Sequence, residues 1–316
     1  MQDILTVTLN PAVDLSTSAD SVNADHKLRC DRPVTDPGGG GINVSRAVRQ
    51  LGGQSRALIA ICGPNGKKLR HLLMDEGIAV LPVRAPGETR LSLAVTDRET
   101  GQQYRFVMPG PDWDEDHVQN VLKTASGAVP DEGYVVLSGS MPPGVSDTFP
   151  AQLCTALQDG DTKVIADTSG AALTALAAGN GPAPYVLRMD QAEAEELAGR
   201  ALPSRHDSVG FAAELVARGA AQVVVVARGA DGSVLASADQ RLHAMAADVP
   251  VVSKVGAGDS FVGGFTLALA RGCDLGTALQ RGAASASAAV MTAATELCRR
   301  EDAEALIAQC PLSDLA

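Results

Sequence analysis

The stretch SKVGAGDSFVGG, residues 253–264, sets four glycines around one acid, Asp259, at the start of an apolar helical pattern. Without Cβ atoms on Gly256 and Gly258, the N–H groups of Ala257, Gly258 and Asp259 can converge on one point at a helix N-terminus, where negative charge is stabilised. A carboxylate beside that pocket is placed to take a proton from an attacking hydroxyl while the N–H groups receive the charge of a transferred phosphoryl group. Asp is also a preferred N-cap residue. The motif alone leaves both readings open, although a cap needs no glycines before it.

A second glycine run, DPGGGGIN (residues 36–43), opens another helical pattern, VSRAVRQLGG. Gly39 and Gly40 let a ligand approach the backbone, and the amide of Asn43 suits sugar hydroxyls; a flexible connector is the plain alternative. Neither run ends in Gly-Lys-Ser/Thr or keeps the GxGxxG spacing, which argues against a P-loop ATPase and a dinucleotide-binding dehydrogenase. Lys27, Arg29, Arg90 and Arg105 fall in two segments that break the surrounding pattern. Singly they read as solvated charges; together they suggest a cover for a phosphorylated ligand, with arginine giving bidentate contacts. Asp14 follows the first strand and suits sugar hydroxyls, though such a residue also serves turns.

The elements that must position these residues follow from apolar periodicity. Residues 4–9, 56–61, 134–139, 163–168 and 222–227 are short β-branched runs alternating with helical patterns over 42–52, 65–76, 114–124, 147–158, 190–199 and 207–218. Continuous apolar strands of this kind are covered on both faces, which predicts an α/β fold with a mostly parallel central sheet flanked by helices. Beyond residue 259 the pattern is mainly helical. Segments 17–34 and 89–110 read instead as antiparallel strands that pair away from the main sheet, making a small β-sheet lid from about 12–35 and 88–108 on a single domain, 1–316.

Bulk properties narrow the partners. The 316 residues carry a formal charge of -11 and no long basic run, which disfavours nucleic acid and anionic membranes. The six cysteines form no CxxC pair and the five histidines no HExxH, so a zinc site is not expected. With no secretory h-region and no apolar stretch of membrane-spanning length, a cytoplasmic protein is expected.

PGGGGINVSRA, SGSMPPG (138–144) and VGAGDSFVGG together resemble the PfkB, or ribokinase-like, carbohydrate kinases over almost the whole chain. KLRC (27–30), the uninterrupted GGGGINV and QYRFVMPG (103–110) are similar to the minor 6-phosphofructokinase branch of that family. The resemblance implies a ribokinase-like fold and ATP-dependent phosphorylation of fructose 6-phosphate at its C1 hydroxyl. Tagatose 6-phosphate or fructose 1-phosphate is the alternative substrate, and a non-catalytic sugar-phosphate-binding regulator is the alternative class. It implies Asp259 as base, with Gly256, Ala257 and Gly258 as the anion hole. Asp14, Gly39, Gly40, Asn43, Arg90 and Ser140 fall on the sugar-phosphate side, where the basic residues Arg29 and Arg105 of the lid segments are also expected, and Lys27 reaches toward both substrates. Arg188, Asp190, Ala227, Arg228, Gly229, Gly232, Ala283 and Ser287 fall on the nucleotide side, and Glu193 is the acid that orders Mg2+. A homodimer through the lid is also implied.

Departures from the family pattern cluster on the nucleotide side. Arg188-Met189-Asp190 stands for Lys-Pro-Asn, Lys254 for Thr, Ala227-Arg228-Gly229 for Ser-Leu-Gly, and Ala294-Thr295-Glu296 for Gly-Thr-Arg. Asp190 and Lys254 exchange charges of opposite sign. If they are close, Lys254 keeps Asp190 ionised. The Lys254 ammonium is alternatively a replacement for the monovalent cation, K+, that many family members hold near Ser253, Val255, Ala289, Thr292, Ala294 and Glu296. Solvated rim substitutions are the plain alternative.

Overall fold

The computed structural model describes residues 1–129, 132–293 and 295–315. The first half builds β1 (Asp3–Thr8), β2 (Ala12–Ala19), β3 (Val34–Gly38), α1 (Gly40–Gln50), β4 (Arg56–Ile61), α2 (Gly63–Asp75), β5 (Ala79–Arg84), β6 (Arg90–Asp97), β7 (Gln103–Val107), α3 (Glu115–Ala128), β8 (Glu132–Ser138) and α4 (Phe149–Ala156). The second half adds β9 (Asp161–Asp167), α5 (Gly170–Ala177), β10 (Val186–Asp190), α6 (Gln191–Ala198), α7 (Arg205–Arg218), β11 (Val223–Ala227), β12 (Ser233–Ala236), β13 (Arg241–Ala244), α8 (Ala257–Ala270), α9 (Leu275–Val290), α10 (Arg300–Leu306) and β14 (Leu312–Asp314).

Among the described residues the main sheet has ten strands in the order β14-β13-β12-β11-β10-β9-β8-β1-β4-β5. Pairing is parallel from β11 through β5 and antiparallel from β11 to β14. The apolar runs behave as predicted: β1 is buried from Ile4 to Thr8 and β8 from Gly133 to Ser138. Five strands and one helix escape the sequence pattern. β5 carries Pro82 and lies at the sheet edge, where a missing N–H is tolerated. Arg188 and Asp190 interrupt the apolar run of β10, while α5, β12, β13 and β14 are too short for a period to develop.

A second sheet of four strands, β3-β2-β6-β7, stands apart from the first. β2–β3 and β6–β7 are antiparallel as expected, but the two pieces meet through β2–β6, which is parallel. The reason is topological: β2 and β6 follow β1 and β5, which run in the same direction in the main sheet. Val13 of the small sheet packs with Ile42, Leu69 and Leu73 on α1 and α2.

Helix α8 is apolar around its whole circumference and buried from Ser260 to Ala270. It lies between α1 and α9 because two glycines allow close approach. A Cβ on Gly263 would stand 2.8 Å from Ala47 Cβ of α1, and one on Gly264 2.2 Å from Ser285 Oγ of α9. That packing brings the N-termini of α1 and α8 together. Among the described residues no helix is long and apolar enough to cross a membrane.

Candidate active site

The N-terminus of α8 starts at Gly256, whose φ of 75° is left-handed and makes Gly256 the N-cap. A Cβ at Gly256 would also meet Leu297 Cδ2 at 2.4 Å. Asp259 is therefore in the first turn rather than at the N-cap. Its Oδ2 accepts instead from Asn43 Nδ2 at 2.9 Å, joining residues 216 positions apart. The Ser260 N–H begins the helical ladder by donating to Gly256 O at 2.8 Å. The N–H groups before it have no intrahelical acceptor; that of Ala257 makes only a long bond of 3.4 Å to Lys254 O.

Asp259 keeps partial solvent access, yet protein atoms enclose most of it. Burial pushes its carboxyl up to about 7, and the charge of Asp167 pushes the same way. The Asn43 bond and the Arg188 and Arg46 guanidinium groups pull it down. A group with this affinity is half ionised near neutral pH, the range where a general base works best.

Arg188 stands over the glycine pocket: a Cβ on Gly258 would lie 3.2 Å from both Nη1 and Nη2. Its Nη1 is paired with Asp167 Oδ1 at 3.1 Å, and Asp167 Oδ2 accepts from Ser138 Oγ at 3.0 Å. Burial opposes the Arg188 charge, but Asp167, Asp259 and Glu193 together hold its pKa above the ordinary arginine range. Among the described residues Nε of Arg188 is buried without a partner, so the guanidinium has donor capacity left for an anion.

The glycine loop is seated by close contacts. Gly39 has φ 127°, and a Cβ on Gly40 would stand 2.4 Å from Ser138 Oγ and 2.7 Å from Gly139 N. Nearby, Arg90 donates from Nε and Nη2 to Asn10 O at 3.1 and 3.0 Å, and Asn10 Nδ2 reaches Ser140 Oγ at 3.4 Å. Asp14 lies against Gly38, where a Cβ would meet its carboxylate at 2.3 Å. Burial raises the Asp14 carboxyl to about 6 despite the charges of Arg90 and Arg105. The structure thus gathers Asp14, Gly39, Gly40, Asn43, Arg90, Arg105 and Ser140 on the Asn43 side of Asp259. Lys27 and Arg29 are exposed in the segment between β2 and β3, outside regular strands.

On the other side, Asp190 and Glu193 form a capping box at the start of α6. Asp190 Oδ1 accepts from Glu193 N at 2.9 Å, and Glu193 Oε2 from Asp190 N at 2.8 Å. Asp and Asn cap equally well, so a carboxylate at 190 meets the same local demand as an amide. Lys254 is exposed, and among the described residues no ion pair within 4.0 Å joins it to Asp190. Burial raises the Glu193 carboxyl, and the Asp190 and Asp167 charges add to this.

Ala227 pairs in register with Asp190 across β10 and β11. The Arg228 side chain is 5% exposed and bonded to Asp231 at 2.9 Å, Leu202 O at 3.0 Å, Pro203 O at 3.0 Å and the Ser208 hydroxyl. It braces the loop holding Gly229 and Gly232, leaving the backbone of this turn as the part open to a ligand. Ala283 and Ser287 are buried on α9, and Ser287 Oγ accepts from Ala247 N at 3.1 Å. Ala294 lies outside the described residues.

Three residues of this geometry escape sequence reading: Asp167, Asn10 and Arg46. Asp167 had a signal, since it is the last residue of a parallel strand, at the carboxyl end where α/β sheets bind ligands. Asn10 and Arg46 have none, because their partners are backbone carbonyls and distant side chains.

The sequence profile of the pfkB family carbohydrate kinases matches residues 5–302. The chain belongs to that family. This pfkB kinase is similar to the ATP-dependent 6-phosphofructokinase isozyme 2 of Escherichia coli strain K12, at 39% identity over 98% of this chain and 99% of the other. It is 38% identical to the protein of the same name from Mycobacterium tuberculosis strain H37Rv, over 95% of this chain and 88% of the other. Its fold matches that of E. coli phosphofructokinase-2 in complex with potassium, with TM-score 0.91, 38% identity and coverage of 98% and 99%.

Proposed function

We propose that this pfkB kinase transfers the γ-phosphoryl group of ATP to the C1 hydroxyl of fructose 6-phosphate. The observation that carries the reading is the placement of Asp259: its carboxyl, raised to about 7, stands beside the glycine pocket under Arg188 and is bonded to Asn43 of the sugar-side loop. The 6-phosphofructokinase names of relatives at 38% and 39% identity support the substrate.

Asp14 accepts sugar hydroxyls, and Arg90, Arg105, Ser140 and Lys27 with Arg29 bind the 6-phosphate. Asp259 takes the proton from the attacking hydroxyl as it reaches the phosphorus. The N–H groups of Ala257, Gly258 and Asp259, with the Arg188 guanidinium, receive the charge that spreads over the transferred group. Arg188, Asp190, Ala227, Gly229, Gly232, Ala283 and Ser287 line the nucleotide side. Glu193 and Asp167, whose charges act on one another, are hard oxygen donors of the kind that suits Mg2+, an ion held by one or two carboxylates plus phosphate and water. Bound there, Mg2+ would neutralise phosphate charge. The exposed Lys254 leaves room for two readings of the nearby monovalent cation: K+ itself, or the ammonium in its place. Equal dependence on added K+ in wild type and Lys254→Thr rules out the second.

Val34 and Val107, 60% and 59% exposed, flank the face of the small sheet that carries Asp14, and support a homodimer through this sheet acting as a lid. Scattering mass that stays monomeric at enzyme-assay concentrations refutes it.

A coupled assay with fructose 6-phosphate, fructose 1-phosphate and tagatose 6-phosphate, with and without Mg2+, tests the function. Preferred turnover of fructose 6-phosphate is expected. Binding of the sugar phosphate without ADP release points to a regulator instead, and near-normal turnover by Asp259→Asn sinks the assignment of the base.

A further inference from the structure

A side chain from the stretch after α9 reaches the small sheet. Thr295 Oγ1 donates to Asp36 Oδ2 of β3 at 2.8 Å, across 259 positions. Thr295 is itself braced: its carbonyl accepts from Arg46 Nη1 at 3.1 Å, and Arg46 Nε is paired with Glu76 Oε2 at 2.7 Å. Gln50 Nε2 adds a bond of 2.9 Å to Glu296 O. The Arg46 side chain is only 6% exposed, so α1 holds the loop in place from the protein interior.

Asp36 is the cross-strand partner of Asp14. Residues directly opposite on neighbouring strands project from the same face with Cβ atoms about 4.5–5.5 Å apart, and like charges there repel. Asp14 lies against Gly38 of β3, where any Cβ would stand 2.3 Å from its carboxylate. The charged groups facing Asp14 are Arg90 of β6, Arg105 of β7, Asp36 of β3 and Arg46 of α1. Asp36 is the one like charge among them. Asp14, Arg105, Val255 and Thr295 line a common cleft between the small sheet and the loop before α8.

We infer that Thr295 is a positioning residue for the sugar site: its hydroxyl holds the Asp36 carboxylate toward the loop after α9, leaving the Asp14 carboxylate to the sugar hydroxyls. The inference rests on the reading of Asp14 as a sugar ligand. Without the hydroxyl, Asp36 is free to turn toward Asp14. The Asp14 carboxyl, already near 6, then becomes harder to ionise.

The test uses ligand-free protein with 13Cγ-labelled aspartate, the Asp14 signal being assigned by its loss in Asp14→Asn. In Thr295→Val the Asp14 midpoint rises by about one unit, and Thr295→Ser restores it. Asp36→Asn lowers the midpoint below wild type, and in that background Thr295→Val no longer moves it. An unmoved midpoint in Thr295→Val, no fall in Asp36→Asn, or a rise that persists in the double variant overturns the inference. In turnover, Thr295→Val raises KM for fructose 6-phosphate about fivefold near pH 6, the ratio of ionised fractions for a one-unit shift, with KM for ATP unchanged. A wild-type protein inactive on every hexose phosphate refutes the kinase reading and leaves the titration result standing.

Discussion

Replacing Asn43 by Leu removes the amide that bonds Asp259 while keeping nearly the same volume. The bond is 2.9 Å long and made to a carboxylate. Hydrogen bonds to charged groups contribute about 1.5–3 kcal/mol. At about 1.4 kcal/mol per pH unit, its loss raises the Asp259 carboxyl by about one to two units. The starting value is about 7 in the ligand-free protein, so the acidic limb of kcat/KM, which reports the free enzyme, moves to between about 8 and 9 when followed from pH 5.5 to 10. At pH 7 the ionised fraction falls from one half to between about 1% and 10%, and the pH-dependent factor in kcat/KM falls about 5- to 50-fold. Above the new midpoint that factor is recovered, because the base itself is intact. A uniform loss at every pH with an unmoved limb refutes the reasoning, since Asn43 would then act on substrate alone; so does a midpoint that falls.

Three further outcomes are expected. Asp259 is protonated more readily in the native protein, at about 7, than in the unfolded chain, near 3.8. The native state therefore binds more protons between those values, and stability present at low pH is lost as the pH rises toward 7. Asp259→Asn escapes that loss: thermal melting should show a Tm gain at pH 8 that vanishes below pH 4, together with a drop in kcat of about 10²–10⁴. Arg188→Met should lower kcat about 100-fold with little change in KM for the sugar, as expected for a donor aimed at transition-state charge, and Arg188→Lys should recover part of it in single-turnover experiments. Arg228→Met strips the partners of Leu202, Pro203 and Ser208; denaturant unfolding should show a loss of about 2–4 kcal/mol, while the kcat of the folded fraction is unaffected.

The sequence was most legible where function needs backbone. Glycines at 39, 40, 256 and 258 announce close approach because no other residue permits it, and the acid at 259 is meaningful beside them. Parallel strands were legible for a similar reason: β1, β8 and β11 are buried on both faces, so their apolar runs are continuous. The nucleotide side was harder to read. Asp190 looks in sequence like an added charge near a triphosphate, and in the structure it serves as the N-cap of α6. Arg228 looks like a cofactor contact, and its guanidinium is absorbed by neighbouring carbonyls.

By itself the sequence determined the class of fold, the two glycine loops and the acid that follows the second, because each rests on local chemistry or on a period of a few residues. Only the tertiary structure decided that Asp259 is tuned rather than capping. Its bond to Asn43 and its exposure to the charges of Asp167, Arg188 and Arg46 come from α1, β9 and β10. The packing of Gly263 on α1 joins residues more than 200 positions apart, and no spacing within the chain encodes the energy of those encounters.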